Sequence, residues 1–266
     1  MRLKKCVRFV ALLVGLFIVF SLKIEAKATS SNIKDVSNLS EKQVNEILLK
    51  KGTPLNVIES MKLTLKREIA SSEGTYESSD IKIANMTNQQ PTTEDGISPM
   101  GNIPASQLGL SFYVYRVDAY NVQVWFGYDW ADNYLPVMRL YDPFGIAWDS
   151  SKFNHVVESK HIDYYSTPNT LTNIQFSEEN RSADVGAGFI YWNADLKSSV
   201  VTTVYDLWGN GYVKLRSSSP YQTCQIYGRY SHVTGSGTYG LALWGTSLSW
   251  SGSAGHDDAA ITGSIQ

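Results

Sequence analysis

From residue 108 to residue 266 apolar and polar positions alternate with a period of two, the spacing of strands that bury one face. Val122, Val124, Phe126, Tyr128 and Trp130 fall on one side of a strand, with Asn121, Gln123, Trp125, Gly127 and Asp129 on the other. Val200, Thr202, Val204 and Asp206 interleave with Val201, Thr203, Tyr205 and Leu207, which predicts a strand with two partly apolar faces. The same pattern predicts strands at 111–117, 137–141, 171–176, 185–192, 212–216, 221–230, 239–250 and 259–265. Turn-forming residues separate them: Asp142-Pro143, Trp208-Gly209-Asn210-Gly211 and Thr234-Gly235-Ser236-Gly237. Asn210-Gly211 is a hairpin signal, because both residues tolerate the positive φ of a type I′ turn. Many short strands without intervening helices predict a mainly β fold, an antiparallel β-sandwich or a barrel-like relative of one, over 108–266.

Upstream the spacing is helical. Ser40 and Gln43 fit a capping box, and Val44, Ile47 and Leu48 form a short apolar stripe that Gly52 ends. Thr53 and Pro54 then suit the start of a second helix with Leu55, Ile58, Met61, Leu65 and Ile69 on its buried side. Residues 29–71 thus predict a helical hairpin, a pro-region or tether, too small to fold alone. Residues 72–107 carry few large apolar side chains and read as a flexible linker.

The first 28 residues predict an export signal. Arg2, Lys4, Lys5 and Arg8 precede the apolar run 9–20, and Ala26-Lys27-Ala28 offers a cleavage pattern. The run is short for a bilayer span. The expected location is extracellular, or on the cell membrane if the signal stays attached. Cys224 is then the one thiol of the mature chain, which leaves no internal disulfide. The formal net charge of −2 provides no footprint for nucleic acid. Within 108–266, however, nine Lys and Arg face fourteen Asp and Glu. That asymmetry suggests that the more basic helical segment docks on the acidic β-region or on an anionic envelope.

No hydrolase elbow, zinc-protease helix, phosphate loop or EF-hand is present. Cys224 with His232 is a conceivable thiol–imidazole pair, but Cys224 alternates with Ile226 and reads as a core residue. Asp129 and Asp132, and the cluster His256, Asp257 and Asp258, are the candidate metal ligands, with calcium the cation that such oxygens suit and no other cofactor expected. Trp125, Trp130, Tyr134, Tyr141 and Trp148 lie among Asp and Asn, a composition that suits stacking on sugar rings, set against the alternative that these aromatics fill a core. Between His232 and His256 no residue is charged, and Ala242, Trp244, Thr246, Leu248 and Trp250 alternate with smaller residues, as a membrane-inserting hairpin or a central soluble strand requires.

The segments LSEKQVNEILLKKGTPLNVIESM (39–61) and RLYDPFGIAWDS (139–150) resemble parts of uncharacterised secreted proteins of spore-forming Gram-positive bacteria. The resemblance implies an exported bacterial protein and transfers no catalytic residue. The expected activity is a non-catalytic extracellular binding module, for glycan or cell envelope. Its alternatives are a membrane-active hairpin protein and a hydrolase using Asp and His.

Overall fold

The computed structural model describes residues 35–82, 100–132, 134, 136–137, 141–167, 175–179, 184–197, 204–235, 239–244, 247–252 and 255–266. The predicted export signal lies outside them, as do residues 83–99 of the predicted linker, 171–174 of one predicted strand and 200–203 of another.

Helix α1 (Glu41–Lys50) starts at the predicted capping box, with Ser40 and Gln43 bonded reciprocally. Gly52, at φ +88°, turns the chain out of it. The predicted second helix is two helices, α2 (Leu55–Glu59) and α3 (Leu63–Ser71). Thr53 caps neither: its hydroxyl is 2.7 Å from the Tyr115 hydroxyl, and Pro54 takes the N-cap position. Lys62 is extended at the start of α3. The break keeps Val57, Ile58, Met61, Leu65 and Ile69 buried on one side, while Leu55 is left exposed.

The strands are β1 (Thr75–Lys82), β2 (Met100–Asn102), β3 (Leu108–Arg116), β4 (Asn121–Trp130), β5 (Tyr141–Trp148), β6 (Phe153–Ser166), β7 (Gln175–Glu179), β8 (Asp184–Gly186), β9 (Phe189–Asp195), β10 (Asp206–Ser217), β11 (Cys224–Val233), β12 (Tyr239–Trp244), β13 (Ser247–Gly252) and β14 (His256–Ile265). They form two six-stranded sheets, ordered β1-β3-β4-β10-β6-β7 and β2-β14-β11-β5-β9-β8, plus the ribbon β12-β13. Every pairing is antiparallel except β2 with β14. The predicted sandwich is therefore the fold. Between the sheets lies a core that includes Phe112, Val124, Phe126, Phe144, Ile146, Trp192, Val213 and Ile226. A second cluster covers the outer face of the first sheet, where α1–α3 bury Tyr113, Tyr115, Trp125 and Tyr212. The helices are thus a third layer of the fold.

Three expectations need correction, and one strand was not predicted. Residues 75–82 are no linker but an edge strand, held by the Arg116–Glu77 ion pair (2.8 Å) and by the Ser78 hydroxyl donating to the Ser264 carbonyl (2.5 Å). Asp142-Pro143 makes no turn and lies inside β5, with Asp142 fully buried. Strand β6 shows no clear period of two, because Asn154, His155, Ser159, Lys160, His161 and Asp163 dilute its apolar content. Asn210-Gly211 is also no turn, since both residues sit mid-strand in β10.

Gly211 has a packing reason. A Cβ there would lie 2.3 Å from the Trp192 ring, so glycine lets the indole cross the strand. Gly211→Ala should cost about 1–3 kcal/mol in urea unfolding, the usual range for overpacking. A neutral result would mean that Trp192 is free to move.

Candidate functional site

A concavity lies where the helical layer meets the first sheet. It has a volume of about 350 Å³, and its walls include Ser60 and Lys62 from the α2–α3 break, Ile81 from β1, Ser111 from β3, and Asp129 and Asp132 at the end of β4. The break in the helix creates it: Lys62 leaves the helical path and extends over the sheet. Its ammonium donates to Asp206 Oδ2 at 2.9 Å and lies 3.5 Å from Asp129 Oδ1 and 3.9 Å from Asp132 Oδ1. It also stands 5.1 Å from the centre of the Trp208 ring.

One cation therefore serves three carboxylates. Enclosure pushes Asp129 up to about 7, with Lys62 pulling the other way and the neighbouring acids adding to the rise. Burial also raises Asp206, again opposed by Lys62. For Lys62, burial works against the charge, but the surrounding acids outweigh it and hold the ammonium above its ordinary range. The Asp129 side chain is 44% exposed overall although its Oδ1 is enclosed, so the group is open to a ligand on one side. An under-neutralised carboxylate cluster beside a cavity favours groups that donate: hydroxyls, amines or ammonium.

The aromatic row does not assemble. Trp125 lies on the outer face of the first sheet beneath the helices, edge-on to Tyr115 at 5.6 Å and 4.9 Å from Tyr212. Trp130 and Trp148 face the inter-sheet core, where their indole N–H groups donate to the Tyr230 hydroxyl (3.1 Å) and the Phe153 carbonyl (2.9 Å). All three are at most 2% exposed. Tyr134 is stacked on Trp130 and partly buried, which leaves Tyr141 as the exposed member. Trp125, Trp130 and Trp148 are therefore core residues, spread over both faces of the first sheet and the inner face of the second, and the five aromatics form no common stacking row. Trp130 borders the cavity while its ring belongs to the core.

The acidic candidates divide in two. Asp129 and Asp132 surround Lys62, whose ammonium occupies the place of a cation. On β14, Asp258 is held by Arg229 and the Ser231 hydroxyl, and His256 Nε2 is 3.5 Å from its Oδ2. Asp257, its neighbour on an extended strand, points to the other face. Among the described residues no group of three or more His, Cys, Asp or Glu converges as a metal site. Cys224 and His232 sit at opposite ends of β11, roughly 26 Å apart at the rise of a strand, so they form no pair. Burial pushes the Cys224 thiol up, away from nucleophile chemistry.

Sequence reasoning missed Lys62 and Asp206, and also a polar chain inside the core. Asp142 accepts from the Tyr230 hydroxyl (2.8 Å), His232 Nδ1 (2.8 Å) and the Val233 N–H (3.0 Å). His232 Nε2 lies 2.6 Å from the Val137 carbonyl. A carboxylate and a carbonyl both accept, so both ring nitrogens must donate and the imidazole is charged. Burial alone would lower its pKa, but Asp142 and Val137 together raise it. Beside it, Asp163 accepts from the Tyr128 hydroxyl (2.5 Å) and the Asp195 N–H (2.8 Å). Asp206 shares its strand face with Trp208 and Tyr212, beneath the helical layer, and nothing in the sequence marks it or Lys62 as a pair.

These shifts set a pH dependence. Asp129 and His232 both bind protons more tightly folded than unfolded, so their contributions are fully present below the unfolded values. They are lost as pH rises through about 7 for Asp129 and through the raised value of His232. Thermal melts at constant ionic strength should therefore show a lower Tm at about pH 8 than at about pH 5.5, with a shallower slope in Asp129→Asn. An unchanged slope in Asp129→Asn would contradict the Asp129 assignment.

No family model matches the chain, and no curated protein matches it. Solved structures similar to it include one described as a pore forming protein, 8% identical over 60% of this chain and 85% of that one, with a TM-score of 0.30. Another is AvmM, described as catalysing macrocyclisation in alchivemycin A biosynthesis, 10% identical over 68% and 87% of the two chains, with a TM-score of 0.25. At these TM-scores neither likeness carries an argument about function.

Proposed function

We propose that this chain is an exported, non-catalytic binding protein that holds a small hydroxyl- or amine-bearing ligand, of the kind found in cell-envelope glycans, in the cavity under its helical layer. The observation that carries the reading is the cavity itself. Its volume of about 350 Å³ falls at the lower end of small-ligand sites and suits one or two sugar rings. Asp129 and Asp132 offer acceptors to ligand hydroxyls, and the Lys62 ammonium holds them in place. Export is supported by the cationic start, apolar run and small-x-small ending of residues 1–28.

Calorimetric titration of the full chain with N-acetylhexosamine oligosaccharides and peptidoglycan fragments tests this. The expected result is one-to-one binding, weakened about tenfold in Asp129→Asn, the usual loss for a hydrogen bond to a charged group. Silence across the whole panel, or unchanged binding in that variant, would sink it. The raised Asp129 favours one second reading, glycoside hydrolysis with Asp129 as the acid. Release of reducing sugar during the titration would move the assignment there.

A further inference from the structure

The charges around the cavity do not balance, and geometry sets the imbalance. Lys62 has three N–H donors and gives one of them to Asp206 Oδ2, at 2.9 Å. Asp129 Oδ1 and Asp132 Oδ1 stand 3.5 and 3.9 Å from the same nitrogen, beyond the span of a good hydrogen bond. Lys82, the other basic residue on the wall, donates to the Ala260 carbonyl at 2.6 Å and is engaged with β14. Among the described residues that line the cavity no further one is basic. Two carboxylates therefore border it with no donor at close range.

Their position adds a direction of approach. The Asp206 side chain is 8% exposed, whereas those of Asp129 and Asp132 are 44% and 63% exposed and can be reached from solvent. One nitrogen already lies within 4 Å of both, so a second on the open side can bridge them. A ligand hydroxyl donates a single neutral hydrogen bond to one of the two. A primary ammonium has three donors and a full charge, and charge-assisted bonds are roughly twice as strong as neutral ones. An N-acetylated nitrogen is a neutral amide with one N–H, and it leaves the pair of carboxylates without a second cation.

We propose that the cavity selects a free primary amine, that of an amino sugar whose nitrogen is not acetylated, and holds its ammonium between Asp129 and Asp132 as the second cation of the cluster. This selectivity rests on the cavity being the ligand site, and adds what distinguishes one envelope sugar from another.

A proton is displaced as the ammonium arrives. Enclosure and the neighbouring acids raise Asp129 to about 7 against the pull of Lys62, so at about pH 6 its carboxyl is largely protonated. Around it stand Lys62 from the helical layer, Asp132 just past the end of β4, Asp206 on β10 and Tyr113 on β3. Lys62 is held above its ordinary range and burial raises Tyr113, so both keep their protons. The ligand's charge favours the carboxylate form of Asp129. One carboxyl O–H bond breaks, one ammonium–carboxylate pair forms, and the proton passes to the buffer.

Calorimetric titration of the full chain at about pH 6 with the β-1,4-linked glucosamine disaccharide and with its di-N-acetylated form tests both parts. The free amines are charged at that pH, as an α-amino group is. The free-amine sugar should bind at least about tenfold more tightly. Its heat should differ between buffers of unlike ionisation enthalpy by the amount for about one proton released per ligand, while the acetylated sugar releases none. Asp132→Asn should weaken binding of the free-amine sugar and leave the acetylated one unchanged, and Asp129→Asn should abolish the proton release. Equal affinity for the two sugars overturns the selectivity and leaves the cavity reading standing, whereas silence from both removes the cavity reading and the selectivity with it. Tighter binding of the free amine with no dependence on buffer overturns the placement at Asp129. The comparison of sugars and buffers uses the unaltered chain, so it holds whether or not the variants fold.

Discussion

Asp142→Ala should lower stability by about 3–5 kcal/mol, the range for removing one partner of a buried ion pair. The fully buried carboxylate is the common acceptor for the Tyr230 hydroxyl, His232 Nδ1 and the Val233 N–H. Without it the His232 charge is left in the core with the Val137 carbonyl as its remaining described acceptor. The imidazole then sheds its proton, which limits the loss but leaves Tyr230 and Val233 short of an acceptor. Asp142→Asn keeps an oxygen for one donor and should cost less. Urea unfolding at neutral pH measures both, and a loss under about 1 kcal/mol for Asp142→Ala would show that the chain of polar groups does not hold the sheets together.

Trp125→Ala should cost about 3–5 kcal/mol, the range for truncating a large buried aromatic. Its ring joins Tyr115 and Tyr212 to the helical layer, in the cluster that also contains Leu48, Ile58 and Ile69. Because the ring is the floor under the helices, amide exchange in α1–α3 should rise more than exchange in β5 or β11. Trp125→Phe should recover most of the loss. A Trp125→Ala protein of full stability that no longer bound oligosaccharide would identify Trp125 as a ligand contact and overturn its placement beneath the helices.

The sandwich was legible because burial of one face leaves a period of two in the chain, as in Val122 to Trp130. The capping box at Ser40 was legible because it is a local hydrogen-bond pattern. Features set by partners distant in sequence were not. Gly211 looks like a turn residue until the Trp192 ring is placed over it, and Asp142 looks like one until His232 and Tyr230 reach it from β11. Trp125 sits on a polar-looking face, which the sequence alone assigns to solvent, because the helices that cover it lie more than fifty residues upstream. The site was half legible for the same reason. Asp129 and Asp132 were visible as a loop cluster, whereas Lys62 and Asp206 join them through the tertiary fold alone.

Hydrogen exchange of the full chain with and without a bound envelope oligosaccharide tests the central claim most directly. The account predicts slowed exchange at residues 60–62, 81–82, 109–111 and 129–132, around the cavity, with the remaining sheet edges unchanged. Protection centred on the exposed Tyr141 or on another surface, with these four segments unchanged, would contradict it.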